Sequence, residues 1–241
     1  MDAVEYEKMA AVEDAMWWYR GLRANLQTLA GVARPGEALL DAGCGTGGTL
    51  RHLSAVARGV RLYGMDYDRE ACALARTKCA CPIAAGSIDA LPFASQFFDV
   101  ILSADVLCHR SVDEPAALAE LHRCLKPGGR LILNLPAYEW LTSSHDAHVH
   151  TARRYTAREL AGLLGRHGFG DIRSTYWNTL LFPLMVLRRK LFRGASSDVM
   201  LYPAPIERVF RALVGLETRA LSAGWGLPFG GSVLVSAVKH G

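Results

Sequence analysis

Chemistry enters this chain at residues 39–50, Leu39-Leu40-Asp41-Ala42-Gly43-Cys44-Gly45-Thr46-Gly47-Gly48-Thr49-Leu50. An apolar run ends in an acid, and glycines follow at 43, 45, 47 and 48. That order reads as a strand ending in a tight turn whose backbone approaches a ligand closely, since only glycine tolerates the dihedrals and leaves the space. Asp41 carries most of the information. A carboxylate facing a pyrophosphate would be repelled, whereas one facing a cationic amino group or accepting a hydrogen bond would help. Gly43, Gly45 and Gly48 also satisfy G-x-G-x-x-G, the dinucleotide fingerprint, which alone is a weak signal. The next short strand, Arg61-Leu62-Tyr63-Gly64-Met65-Asp66, again ends in an acid. Asp66 follows Asp41 at about the distance at which an acid meets a ribose diol, and that suits either kind of nucleoside cofactor.

The segments downstream discriminate. Gly86-Ser87-Ile88-Asp89-Ala90-Leu91-Pro92-Phe93 reads as a loop carrying an acid, Phe98-Asp99-Val100-Ile101-Leu102-Ser103-Ala104 as a fourth strand, and Leu125–Asn134 as helix end, turn and fifth strand. Together with Asp41-Gly43-Gly45-Gly47, this ordered set over residues 37–136 resembles the class I S-adenosyl-L-methionine-dependent methyltransferases, of the small-molecule, methyltransferase type 11-like kind. The resemblance implies S-adenosyl-L-methionine as cofactor and S-adenosyl-L-homocysteine as product. It places Gly43, Cys44, Gly45 and Gly47 at the close approach and Asp66, with Tyr67 beside it, at the ribose. Ser87, Ile88 and Asp89 would meet the adenine, and Ser103, at the end of the fourth strand, would also contact the cofactor. Asp41 would order the loop or meet the cofactor's amino group. Two alternatives stay open on the residues: a dinucleotide-dependent oxidoreductase using the same loop, and a catalytically silent cofactor-binding scaffold at a membrane surface.

Two further constellations stand near these motifs. Met16-Trp17-Trp18-Tyr19-Arg20-Gly21-Leu22-Arg23 resembles a tryptophan-rich segment preceding the core in some members of the class. There a helix folds over the cofactor, and Arg20 or Arg23 would touch its carboxylate end. The plain reading is a hydrophobic helix on the sheet with snorkelling arginines. After the fifth strand come His145, Asp146, His148 and His150, then Arg153, Arg154 and Tyr155. Ligands of open α/β sheets bind at the carboxyl ends of strands. His148 and His150 are therefore candidate bases for an acceptor's proton, with Asp146 as orienter. His145, Arg153, Arg154 and Tyr155 are candidate substrate contacts, against the plain reading of caps and salt bridges. His109 is a weaker candidate of the same kind. A covalent role for Cys108 is not needed, because methyl transfer proceeds by direct in-line displacement. The histidine spacing fits no zinc pattern, and no metal is expected.

With 241 residues, half of them hydrophobic, the chain suits one domain with an embellishment. The net charge of +4 is unevenly placed: Thr151–Arg219 holds 12 Lys/Arg against 5 Asp/Glu. A basic, apolar C-terminal third suits a peripheral contact with an anionic membrane, or simply solvated helices. The longest apolar stretch, Tyr176–Leu187, is shorter than the about 20 residues that span a bilayer. The start lacks a secretory signal, and six cysteines without C-x-x-C read as free thiols of a cytoplasmic protein. Ser103-Ala104-Asp105-Val106 replaces the Asn/Asp-Pro-Pro-Tyr of base amino methylases, so a small-molecule acceptor is expected, not nucleic acid. Neither the acceptor atom nor the oligomeric state is readable.

The elements that must position these residues follow from periodicity. Strands are expected at 38–42, 60–66, 82–85, 98–103, 130–135, 171–177 and 232–238, and helices at about 47–57, 68–80, 114–124, 156–167, 180–193 and 205–223. Thr156 and Glu159 spell a capping box. This is an α/β, Rossmann-like pattern: a seven-stranded, mostly parallel sheet with helices on both faces and a helical insertion before the last strand. It forms one domain: an N-terminal helical cap (1–36), a cofactor-binding core (37–177), an insertion or lid (178–230) and the last strand (231–241).

Overall fold

The computed structural model describes residues 3–31, 33–143, 146, 150–191 and 200–240. Five strands run parallel: β1 (Ala38–Ala42), β2 (Arg61–Asp66), β3 (Ile83–Ala85), β4 (Phe98–Ala104) and β5 (Leu125–Pro136). β7 (Ser232–Lys239) lies antiparallel between β5 and β6 (Phe169–Trp177). The order is β3-β2-β1-β4-β5-β7-β6. The chain leaves β1 towards β2 on one side and reaches β4 on the other. The crevice of a doubly wound sheet therefore opens beyond the carboxyl ends of β1 and β4, where the glycine-rich segment falls.

Every residue of β1 is buried, as expected for a central strand covered on both faces. Alternate residues serve opposite layers. Leu40, Ile101 and Leu133 pack with Leu118 and Leu121 of α5 (Glu114–Cys124) and with Leu160 and Leu164 of α6 (Ala157–Arg166). Leu39, Val100 and Ile132 face the opposite layer. There they meet Leu50 and Leu53 of α3 (Gly48–Val56), Ala75 of α4 (Arg69–Lys78) and Leu26 of α2 (Trp17–Ala30). The capping box at Thr156 and Glu159 is formed.

The N-terminal helical cap expected at 1–36 is two helices, α1 (Ala3–Val12) and α2. The break at Met16 is held from afar. Met16 is extended, and the Trp17 backbone N–H donates at 2.9 Å to Glu207 Oε2 on α8 (Ala204–Ser222). α8 and α7 (Phe182–Leu191) occupy the connection between β6 and β7. α8 packs tightly along α2: a Cβ on Gly21 would lie 2.4 Å from Val214 Cγ1. Thr218 also donates to Asn25 Oδ1 at 2.7 Å. Cys79 and Cys81, read from the sequence as free thiols, are joined as a disulfide; the other four cysteines are free and buried.

Candidate active site

The loop after β1 is built from hydrogen bonds to the end of β2. Gly43 and Cys44 both donate their N–H to Met65 O, at 2.7 and 2.9 Å. Gly45 N–H donates to Asp66 Oδ2 at 2.7 Å, and Asp66 Oδ1 accepts from Asp68 N–H at 3.0 Å. Gly43 has φ +91°, and a Cβ there would lie 2.1 Å from Val106 Cγ2, so both conformation and space demand glycine. Burial pushes the Asp66 carboxyl above the usual carboxylate range, against the backbone N–H groups that hold its charged form.

A cavity of about 720 Å³ opens over this loop. Its floor includes Gly43, Cys44, Gly45 and Gly48, with Asp66 beside them. Its roof is the N-terminal cap: Tyr6, Met9, Glu13, Met16, Trp17 and Trp18. At the far side stand Asp105, Val106 and His109 after β4, Arg154, and the inner face of α7 with Met185, Arg188 and Arg189. The wall is thus mostly aromatic and aliphatic, with a few polar groups converging.

Asp105 is the polar centre of the far side. It has φ +56°, in the left-handed region that a non-glycine residue adopts only at a cost. Both of its carboxylate oxygens lie within reach of Asn134 Nδ2, at 3.0 and 3.1 Å. Asn134 Oδ1 in turn accepts from Trp177 Nε1 at 2.7 Å. Burial pushes the Asp105 carboxyl up to about 7, opposed by the Asn134 hydrogen bond and the charge of Arg154.

The structure brings Gly43, Cys44, Gly45, Asp66, Arg23 and Arg154 to one cavity. Other candidates stand elsewhere. Asp41 is buried and does not line the cavity; its Oδ2 has no hydrogen-bond partner. Burial, then the charges of Asp66 and Glu13, push its carboxyl up to about 7. Gly47, with φ +87°, serves the close crossing of α3 on α4, where a Cβ would lie 2.9 Å from Ala75 Cα. Tyr67 is 82 % exposed. Ser87 bridges to Ala90, Ile88 is in the core, and Asp89 Oδ2 accepts from Asp113 N–H at 3.3 Å; none of the three lines the cavity. Ser103 donates to Ala42 O at 2.8 Å, tying β4 to β1. Arg20 is exposed, away from the cavity that Arg23 lines.

The histidine loop divides likewise. His145 and His148 lie outside the described residues. His150 is exposed at φ +58°, off the cavity wall, and its carbonyl accepts from Arg110 N–H at 3.0 Å. Arg153 donates to the carbonyls of Leu107, His109 and Val112, which builds it into the loop after β4. Tyr155 donates to Glu114 Oε2 at 2.5 Å. Arg154 pairs with Asp146 at 2.5 Å and lines the cavity. Sequence reasoning missed Glu13, Asn134 and Trp177 as parts of the site. It met Asp105 only as part of a motif that was absent. The usable signal for Asp105 was its place just past the end of β4.

Comparison with known proteins bears on this geometry. Residues 40–133 match a family model described as a methyltransferase domain. The chain is 33 % identical over 241 residues to an uncharacterized 37.1 kDa protein in transposon TN4556 of Streptomyces fradiae, covering 93 % of this chain and 63 % of that protein. It is 37 % identical over 171 residues to a malonyl-[acyl-carrier protein] O-methyltransferase of Serratia marcescens, covering 67 % of this chain and 64 % of the relative. It therefore spans less than two thirds of the length of either curated relative. A solved S-adenosylmethionine-dependent methyltransferase of Thermotoga maritima shares the fold with a TM-score of 0.62 and 20 % identity, over 98 % of this chain and 94 % of that one. Residues 40–133 thus match a methyltransferase domain, and the chain shares the fold of a solved S-adenosylmethionine-dependent methyltransferase. Among the described residues no helix is long and apolar enough to cross a membrane, and no His/Cys/Asp/Glu group is placed to hold a metal.

Proposed function

We propose that the protein transfers a methyl group from S-adenosyl-L-methionine to a small, largely apolar acceptor by direct in-line displacement. The observation that carries this reading is the one cavity shared by the glycine loop after β1, the acid ending β2 and the Asp105 carboxylate after β4. The bound cofactor would supply a methyl group on an electrophilic sulfonium. Asp66 suits the ribose hydroxyls: each oxygen accepts a backbone N–H, and a carboxylate retains further acceptor capacity. Gly43 and Gly45 allow close approach, and Arg23 stands where a carboxylate could be received.

On the acceptor side, Leu184, Met185 and Leu187 of α7 line the cavity and would orient an apolar substrate, and positioning supplies much of such catalysis. Asp105 faces the same space and is the group there best placed to receive a proton from an O–H or N–H acceptor. Arg188 and Arg189 line the cavity, donating to Tyr202 Oη at 2.5 Å and Leu141 O at 2.9 Å, which supports α7 as a lid over the substrate.

The test is incubation of the protein and a cell extract with methyl-tritiated S-adenosylmethionine. Label in the solvent-extractable small-molecule fraction is expected. Label confined to the nucleic-acid or protein pellet would contradict the proposal.

A further inference from the structure

Glu13, in the turn between α1 and α2, is only 4 % exposed, yet it lines the cavity. Its Oε1 accepts from Thr46 Oγ1 at 2.6 Å and from Lys78 Nζ. Its Oε2 is turned to Gly48, the first residue of α3: a Cβ there would lie 2.2 Å from that oxygen. Arg23 Nη1 stands 3.2 Å from the same point, while Arg23 Nη2 donates to the Glu13 carbonyl at 2.8 Å. One carboxylate oxygen and one guanidinium nitrogen thus flank a single glycine on the cavity floor; the other carboxylate oxygen pairs with Lys78, and the Arg23 guanidinium also feels the Glu13 charge.

We infer that Glu13 Oε2 receives the α-ammonium group of the methyl donor's amino-acid tail, with Arg23 beside it for the α-carboxylate. The inference rests on the methyltransferase reading and deepens it. A buried carboxylate is costly unless its oxygens are hydrogen-bonded, and an ammonium group delivered into the cavity satisfies the one that Thr46 and Lys78 leave open. Asp41, which the glycine-loop motif offers for this task, lies off the cavity wall. The partial positive charge at the start of α3 favours a carboxylate next to Arg23. Any side chain at position 48 would fill the place where these charges converge. The N-terminal cap is therefore a selectivity element: it distinguishes an adenosyl thioether that carries an amino-acid tail from one that does not.

Calorimetry with two probes tests this without knowledge of the acceptor. S-adenosylhomocysteine carries the tail; 5′-methylthioadenosine shares the adenosine and the thioether but lacks it. The wild type should bind S-adenosylhomocysteine at least about tenfold more tightly, the scale of a charge-assisted hydrogen bond. Glu13→Gln should lose at least about tenfold for S-adenosylhomocysteine and stay within about twofold for methylthioadenosine. Thr46→Ala removes a hydrogen bond from the same carboxylate but not its charge, and should preserve the preference. Should Glu13→Gln not fold, as judged by its circular dichroism melt, Glu13→Asp takes its place, with a smaller loss again confined to S-adenosylhomocysteine. Equal losses for both probes would make Glu13 a brace between cap and loop and overturn the inference. So would an unchanged Glu13→Gln, or a wild type that binds both probes alike. A wild type that binds neither probe would fail the methyltransferase reading itself, and this inference with it.

Discussion

The indole N–H of Trp177 donates to Asn134 Oδ1 at 2.7 Å, and that bond decides which end of the amide faces Asp105. An amide free to rotate could present oxygen to the carboxylate and repel it. With Oδ1 held by Trp177, Nδ2 is presented to both Asp105 oxygens. β6, at the sheet edge, thereby orients a group at the end of β4 through β5. Trp177→Phe keeps an aromatic ring but removes the donor and part of the indole's volume, so a cavity cost adds to that of the lost bond. The lost bond alone should lower stability by about 1–3 kcal/mol, the cost of an unpaired buried acceptor, with cofactor affinity changed far less. Urea unfolding beside calorimetry checks this; an unchanged unfolding midpoint would contradict it.

Two desolvated carboxyls, buried Asp41 and half-buried Asp105, fix the sign of a pH dependence. Asp41 and Asp105 are both pushed up to about 7 by burial. In the unfolded chain an aspartate titrates near 3.9. Between about pH 4 and 7 the folded protein holds protons that the unfolded chain releases, so each group lowers stability as pH rises through that window and adds no further slope above it. Asp41→Asn fixes the neutral form. Its stability relative to wild type should grow from about pH 4.5 to 7.5, with a ceiling of about 4 kcal/mol. Denaturant melts at the two pH values measure the gap, and a gap that stays constant or narrows would refute the shift.

Gly45 and Gly47 should separate binding from folding. Gly47→Ala forces a side chain against the Ala75 backbone at positive φ and should cost about 1–3 kcal/mol of stability. Gly45→Ala is also strained at φ +52°, but its Cβ meets chiefly the movable end of Met9, at 2.9 Å, so its stability cost should be the smaller of the two. Because Gly45 lines the cavity, its loss should fall on S-adenosylhomocysteine affinity. Thermal melts and calorimetry on both variants decide; equal patterns would mean that Gly47 also acts at the ligand.

Much of the fold was legible because its signals are local. The apolar run ending at Asp41, the alternation at 232–238 and the capping box at Thr156 each declare an element within a few residues. The break between α1 and α2 was not legible, because its cap is the Glu207 carboxylate, 190 residues away. The same limit governed the site. Gly43, Gly45 and Asp66 could be placed from spacing, since one loop and one strand end carry them. Glu13 gave no signal, because its position over Gly48 depends on how the cap folds back. Arg153 misled for a related reason: a cation beside a strand end reads as a ligand contact until its three carbonyl partners are seen.

Calorimetric titration of the purified protein with S-adenosylhomocysteine and, separately, with NAD tests the central claim most directly. The account predicts saturable binding of S-adenosylhomocysteine, no comparable binding of NAD, and a loss of about 1–3 kcal/mol for S-adenosylhomocysteine in Asp66→Ala. Tight binding of NAD with none of S-adenosylhomocysteine would contradict it.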